Sequence, residues 1–146
     1  MNYESMLQVA IQEAKIGLKE GGIPIGAALF DSQGNLVARG HNLRVQNDDP
    51  TSHGETQCIR NAGRRRDWHT LTLVTTLSPC PMCTGTSLLF KIPKIIIGEN
   101  KTFVGAEDWL KKNNVEIVNL QNQECIDLMT NFIQQHPDLW NEDIGK

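Results

Sequence analysis

Two short stretches, His53-Gly54-Glu55 and Pro79-Cys80-Pro81-Met82-Cys83, constrain this chain most. They lie 26 residues apart (53 to 79), and each opens a segment that reads as a helix after a strand or loop. Cys80 and Cys83 are three apart, so on a helix their sulfurs share a face. A first-turn position favours thiolate over thiol. His53 offers a third donor from the other helix start. Two thiolates and one imidazole suit zinc. A structural zinc site wants four protein ligands, and only three stand at a credible spacing. Three leave a position for water, the arrangement of a catalytic zinc, which lowers the pKa of bound water from 15.7 to roughly 7. Glu55, two residues from a ligand, is the candidate proton carrier. Its other reading is a helix-start carboxylate favoured by the dipole.

Two other readings of the cysteines exist. A thioredoxin-like pair has the same strand–Cys-x-x-Cys–helix layout but gives His53-x-Glu55 no task. A zinc ribbon needs a fourth ligand. Cys58, five residues after His53, is turned about 140° round the helix, and it and Cys125 read as core.

Periodicity supplies the surroundings. Leu7, Ile11, Ala14 and Leu18 recur at helical spacing and predict a helix from Glu4 to Lys19, ended by Gly21-Gly22. Ile23–Phe30 and Leu36–Gly40, joined by Asp31-Ser32-Gln33-Gly34-Asn35, predict an antiparallel hairpin. Beyond the loop at 47–52, helices are expected over 53–62, 80–91, 106–112 and 123–135, the last stopping before Pro137. Strands are expected over 71–75, 95–97 and 115–118. A hairpin followed by strand–helix units implies an α/β fold, with five mixed strands, about five helices on both faces, and one domain over 1–146.

Composition excludes other classes. Fourteen Lys and Arg against seventeen Asp and Glu give a net charge of −3, which argues against general binding of nucleic acid or anionic membrane. No apolar run approaches the roughly 20 residues of a membrane span. MNYESMLQVAIQEAK lacks the marks of a secretory signal, so the expectation is a cytoplasmic protein whose four cysteines are thiols or metal-bound thiolates. Arg64-Arg65-Arg66 reads as a solvated turn, and His41, His69 and His136 as ordinary histidines.

His-x-Glu followed by Pro-Cys-x-x-Cys is the zinc-deaminase signature. The chain resembles the cytidine deaminase superfamily, and within it the fungal-type cytosine deaminases. The resemblance runs through GLKEGGIPIGAAL at 17–29, RGHNLR at 39–44, HGET at 53–56, TTLSPCPMCTG at 75–85, IPKIIIGEN at 92–100 and DLWNEDIG at 138–145. It implies a three-layer α/β/α sandwich, a homodimer, one zinc per subunit, and a small free base as substrate rather than nucleic acid or membrane. It implies that His53, Cys80 and Cys83 bind the metal and that Glu55 shuttles protons for hydrolytic conversion of cytosine to uracil and ammonia by a zinc-bound hydroxide. Asn42 and the Gly54 N–H would hold the pyrimidine edge, Phe103 and Trp140 would wall the ring, Asp143 would take the ring N1–H, and the Ser78 carbonyl would meet the leaving amine. Other readings of these residues are a turn for Asn42, plain packing for the two aromatics and a solvated tail for Asp143.

The chain departs from the fungal type at Val45 and Asn141, where aromatic residues are usual, which implies a roomier or more polar rim. The alternatives are a deaminase of another amino-heterocycle (guanine, isocytosine or a modified pyrimidine), an editor of tRNA or other nucleic acid, and a non-catalytic zinc-stabilised binding module.

Overall fold

Asn2 starts the first helix: its side-chain oxygen accepts the Ser5 N–H at 3.1 Å, satisfying one of the donors that a helix start leaves free. In the computed structural model, which describes residues 2–146, helix α1 then runs over Tyr3–Lys19. Leu7, Ile11 and Ala14 are buried as the periodicity predicts, but Leu18 is 41% exposed. Leu18 falls in the same angular range as these three, but it lies in the last turn, where it is Gly17 that faces a neighbour, the His41 ring.

The remaining elements follow in chain order. Strands β1 (Gly26–Phe30) and β2 (Leu36–His41) form the hairpin, followed by a single turn of helix, α2 (Arg44–Asn47), and by α3 (Gly54–Ala62). Next come a short 3₁₀ turn (Trp68–Thr70), β3 (Thr72–Thr75), α4 (Pro81–Leu89), β4 (Lys94–Ile97) and α5 (Glu107–Lys112). Strand β5 (Glu116–Asn119) and helices α6 (Gln123–Gln135) and α7 (Pro137–Asp143) complete the chain. The first strand is shorter than the apolar run suggests. Pro24 has no N–H to give a sheet, and the Ile25 N–H turns back to the Ile23 carbonyl at 2.8 Å, so pairing begins at Gly26. Helices α2 and α7 are additions to the expected set. α2 is too short to carry a period, and α7 begins at the Pro137 that stops α6.

The sheet order is β2-β1-β3-β4-β5. β1 pairs antiparallel with β2 and β3, while β3, β4 and β5 are parallel. Alternate residues feed opposite faces. Ala27, Leu29, Leu73, Ile95 and Ile97 pack with Cys58 and Ile59 of α3 and Leu110 of α5. Ala28, Phe30, Val74 and Ile96 pack with Met6, Leu7, Ala10 and Ile11 of α1 and Cys125 of α6. The result is the expected α/β/α sandwich. All four cysteines are free thiols, with Cys58 and Cys125 in the core. No helix among the described residues is long and apolar enough to cross a membrane.

A third apolar cluster covers one end of the sheet, where Ile23, Ile25 and Leu77 meet Met129 and Phe132 of α6 and Trp140 of α7. This is the end at which β2, β3 and β4 finish and α3 and α4 begin, the usual place for a ligand crevice in an open α/β sheet. α1 can approach the sheet closely because β1 begins with glycine: a Cβ at Gly26 would overlap the Ala10 carbonyl oxygen and crowd the Ala14 backbone. Since those are backbone atoms of a packed helix, Gly26→Ala is expected to destabilise the protein by at least about 1–3 kcal/mol in urea unfolding.

Candidate active site

His53 and Cys80 each sit immediately before a helix, at the N-caps of α3 and α4, with extended backbone (φ −78°, ψ 163° and φ −69°, ψ 171°). Both side chains can therefore project from the helix starts towards each other. Thr56 fixes the first turn of α3, its hydroxyl accepting the His53 N–H at 3.0 Å and donating to the Thr51 carbonyl at 2.7 Å. Pro81 begins α4. His53 Nδ1 lies 3.5 Å from Cys80 Sγ and 3.7 Å from Cys83 Sγ, and all three donor atoms lie within 4.8 Å of one another. Zinc bonds of about 2.0–2.3 Å in tetrahedral geometry separate ligands by roughly 3.5 Å, so the donor set fits the ion in type and spacing. The other imidazole nitrogen, Nε2, is 3.3 Å from Asp143 Oδ1. A carboxylate there selects the tautomer with its hydrogen on Nε2 and leaves Nδ1 free to ligate.

Cys80 is pulled down towards thiolate, first by the Cys83 thiol donating to it and then by His53. Cys83 is pushed up by the same contact and by burial. Burial works against a charged His53, yet the Cys80 hydrogen bond and the Asp143, Glu55 and Cys80 charges raise its pKa to about 9. A cation belongs among these groups, whether it is a proton or a metal.

Glu55 is buried in the first turn of α3 and borders the same cavity. Burial and the neighbouring Cys80 charge raise its pKa to about 7 against the pull of His53. No other side chain among the described residues hydrogen-bonds its carboxylate. It can hold or release a proton near neutrality, as an acid–base group must.

Asn42, Ser78, Phe103, Trp140 and Asp143 line that cavity with His53, Glu55 and Cys80, so residues from α3 and its N-cap, from α7 and from the segments that follow β2, β3 and β4 converge on one space. Cys83 lies fully buried beneath it, and Gly54, the first residue of α3, is buried beside it. Asn42 Nδ2 donates to Asp143 Oδ1 at 2.9 Å, and Asn42 Oδ1 accepts the Arg44 N–H at 3.0 Å. Burial raises the pKa of Asp143, opposed by His53, Asn42 and Arg44. Trp140 and Asp143 are three apart on α7 and share a face, which is why both enter the cavity. The Phe103 and Trp140 rings meet edge-on, with centroids 5.5 Å apart.

Sequence reasoning missed several neighbours. Ile25, Leu77 and Ile144 supply apolar wall, and Arg44 reaches towards Asp143 at 4.0 Å. Glu99 and Glu107 are buried acids on either side of Phe103 in the chain. His41 is braced between two carboxylates, Nδ1 to Glu13 and Nε2 to Glu20, each at 2.9 Å. None of these carries a motif; a buried acid shows itself only through its partners. Arg65 of the expected solvated turn forks onto Asp67 through two bonds of 2.8 Å.

The chain is 48% identical over 142 residues to a cytosine deaminase of Candida albicans, covering 96% of this chain and 95% of that one. It is 30% identical over 144 residues to a tRNA-specific adenosine deaminase of Haemophilus influenzae, covering 90% and 83%. Among solved structures, a guanine deaminase from Nitrosomonas europaea superposes with a TM-score of 0.77 at 20% identity, covering 88% of this chain and 83% of that one, a likeness of fold. His53→Ala, Cys80→Ser and Cys83→Ser are each expected to reduce zinc well below one ion per chain, and native mass spectrometry checks it. The family model for the cytidine and deoxycytidylate deaminase zinc-binding region matches residues 1–99, and with that match and these relatives the chain belongs to the zinc-dependent cytidine and deoxycytidylate deaminase family.

Proposed function

We propose that this protein hydrolyses free cytosine to uracil and ammonia, with the whole chain acting as one deaminase domain. The observation that carries the reading is a carboxylate with a pKa near 7, Glu55, beside a three-donor zinc site at the bottom of a small cavity covered by α7. The 48% identity to a cytosine deaminase over nearly the whole chain supports the choice of substrate.

His53, Cys80 and Cys83 would hold the zinc, which when bound acidifies a coordinated water to a pKa of roughly 7. Glu55 takes the proton of the attacking water and passes it to ring N3, which makes C4 electrophilic. It then takes the second proton from the new C4 hydroxyl and delivers it to the amine, so that the C4–N bond breaks as the 4-oxo group forms. One carboxylate can serve both transfers because its pKa lies near the working pH. The Asn42 amide and the Gly54 N–H hold the 2-oxo edge. Phe103 and Trp140 close on the ring faces, and the Ser78 carbonyl accepts from the amine. Asp143 takes the N1–H, a hydrogen that free cytosine has and cytidine has exchanged for ribose. The same carboxylate thus rewards the base and opposes the nucleoside.

The enclosing tail and the net charge of −3 speak for a free base over nucleic acid. Four unpaired thiols accord with a cytoplasmic location. A homodimer is supported by an apolar face on α4 and α5: Met82, Gly85 and Leu89 fall on one stripe, Leu89 is 72% exposed, and the 46% exposed Trp109 lies over Gly85. Ammonia release from cytosine, cytidine, guanine and adenine measured side by side tests the function, and cytosine is expected to be the best substrate.

Glu55→Gln preserves the shape but cannot accept the water's proton; kcat should fall by about 10² to 10⁴ with zinc retained. A loss below tenfold would refute the proton-carrier role. Asp143→Ala, assayed in saturating zinc, should lower kcat/KM for cytosine more than tenfold, in line with about 1.5–3 kcal/mol for a hydrogen bond to a charged group. Wild-type activity on cytidine equal to that on cytosine would show that Asp143 does not face N1.

A further inference from the structure

The segment between β3 and α4 carries both Ser78 and the metal ligand Cys80, and a buried carboxylate outside the cavity wall holds it. Ser78 Oγ donates to Glu107 Oε2 at 2.6 Å and accepts the Gly105 N–H at 2.9 Å. A hydroxyl has one hydrogen to give, so the acceptor-only carboxylate dictates which way it points. Asn100 Nδ2 donates to both oxygens of Glu107 at 3.2 and 3.3 Å. The Ser78 N–H donates to the Glu99 carbonyl at 3.0 Å, and the next carbonyl, that of Pro79, accepts the Ala106 N–H at 3.0 Å. Gly105 makes this closeness possible, because a Cβ there would overlap the Pro79 carbonyl oxygen. Glu107 and Ser78 are both buried, 7% and 3% exposed.

Every polar group of Ser78 is thereby committed except one. No N–H or O–H among the described residues donates to the Ser78 carbonyl, and Ser78 borders the cavity. A carbonyl left without a donor at a cavity wall is an acceptor awaiting a ligand.

We propose that Glu107 is a positioning residue for the deamination: acting through the Ser78 hydroxyl, it aims the Ser78 carbonyl at the amine that leaves. The inference rests on the deaminase reading above. As C4 becomes tetrahedral and Glu55 protonates the amine, the C4–N bond breaks and ammonia departs. Its N–H groups gain positive character on the way, so a fixed acceptor binds the transition state more tightly than the ground state. Losing its aim should lower kcat more than it raises KM. A group that merely braced the fold would instead loosen the whole pocket.

Four variants of the zinc-loaded full chain, Glu107→Ala, Glu107→Gln, Ser78→Ala and the double Glu107→Ala/Ser78→Ala, test this against cytosine turnover. Binding of pyrimidin-2-one, the ring without the 4-amino group, is measured alongside. Glu107→Ala and Ser78→Ala are expected to lower kcat by about tenfold or more, with KM and pyrimidin-2-one affinity within about threefold of wild type. The double variant should be no slower than the slower single one, because both substitutions cut one link. Glu107→Gln should keep at least about a third of kcat, since its amide oxygen still accepts the Ser78 proton. A kcat within threefold of wild type in either single alanine variant overturns the proposal, as does an equal loss of turnover and pyrimidin-2-one affinity. Should Glu107→Ala fail to fold, Ser78→Ala decides alone. Wild-type protein inactive on cytosine would refute the substrate reading instead, and the same variants would then be read on whichever amine-bearing base the wild type deaminates.

Discussion

A helix begins with N–H groups that no turn of its own can satisfy and with a partial positive charge. Two such beginnings, those of α3 and α4, are brought together at one end of the sheet, and the residues capping them are His53 and Cys80. An N-cap has extended backbone, so its side chain leans off the helix end instead of lying along the barrel. That lets an imidazole and a thiolate 27 residues apart come within 3.5 Å. The sandwich around them keeps the two helix starts in register. β1 lies between β2 and β3, β4 runs parallel to β3, and α3 and α5 share a packed face through Ile59 and Leu110.

Such a site concentrates acids where water is scarce. Glu55, Glu99, Glu107 and Asp143 are all buried at this end, and a buried charge without partners is expensive. The four are treated differently. Glu99 accepts the Lys101 and Thr102 N–H groups at 2.7 and 2.9 Å, together with the Thr102 hydroxyl. Glu107 is held by Ser78 and Asn100, and Asp143 by Asn42 and the His53 imidazole. Only Glu55 has no side chain bonded to its carboxylate, and its pKa is pushed up to about 7. Satisfied acids stay fixed and hold loops, whereas the unsatisfied one is poised to take up and give back a proton.

How much of this was legible beforehand follows from where each signal resides. The helix over 123–135 reads correctly because a long amphipathic period ends at a proline, and the hairpin reads correctly because turn formers separate two β-rich runs. That His53, Cys80, Cys83 and Glu55 would come together was legible because it follows from their spacing and their places at two helix starts. Boundaries set by tertiary context could not be read: Pro24 shortens β1, and the helical period does not show that packing stops short of Leu18 at the end of α1. The Glu107–Ser78 and His41–Glu13–Glu20 groups were invisible for a related reason. Their members lie 29, 28 and 21 residues apart, and no local pattern marks which acid will meet which donor once the sheet has formed.

The tail brings a small helix against a site whose metal donors and acid–base carboxylate are already assembled without it. On the proposed reading, nothing in the three-donor set or Glu55 would distinguish a free base from a nucleoside, because both groups act at C4, N3 and the amine, away from the N1 that carries a sugar. α7 supplies what is missing. Its Trp140 packs with Phe103, Leu77 and Phe132, which anchors the helix by burial of a large ring, and Asp143 follows three residues later on the same face. Asp143 then bonds Asn42, the residue after β2, and meets His53, the N-cap of α3. One carboxylate oxygen, Asp143 Oδ1, therefore ties α7 to Asn42 and to the candidate metal ligand His53. On the proposed reading, selectivity for the base and orientation of the metal site would be coupled by that arrangement, since a tail that moved to admit a ribose would also withdraw the partner of the His53 Nε2–H.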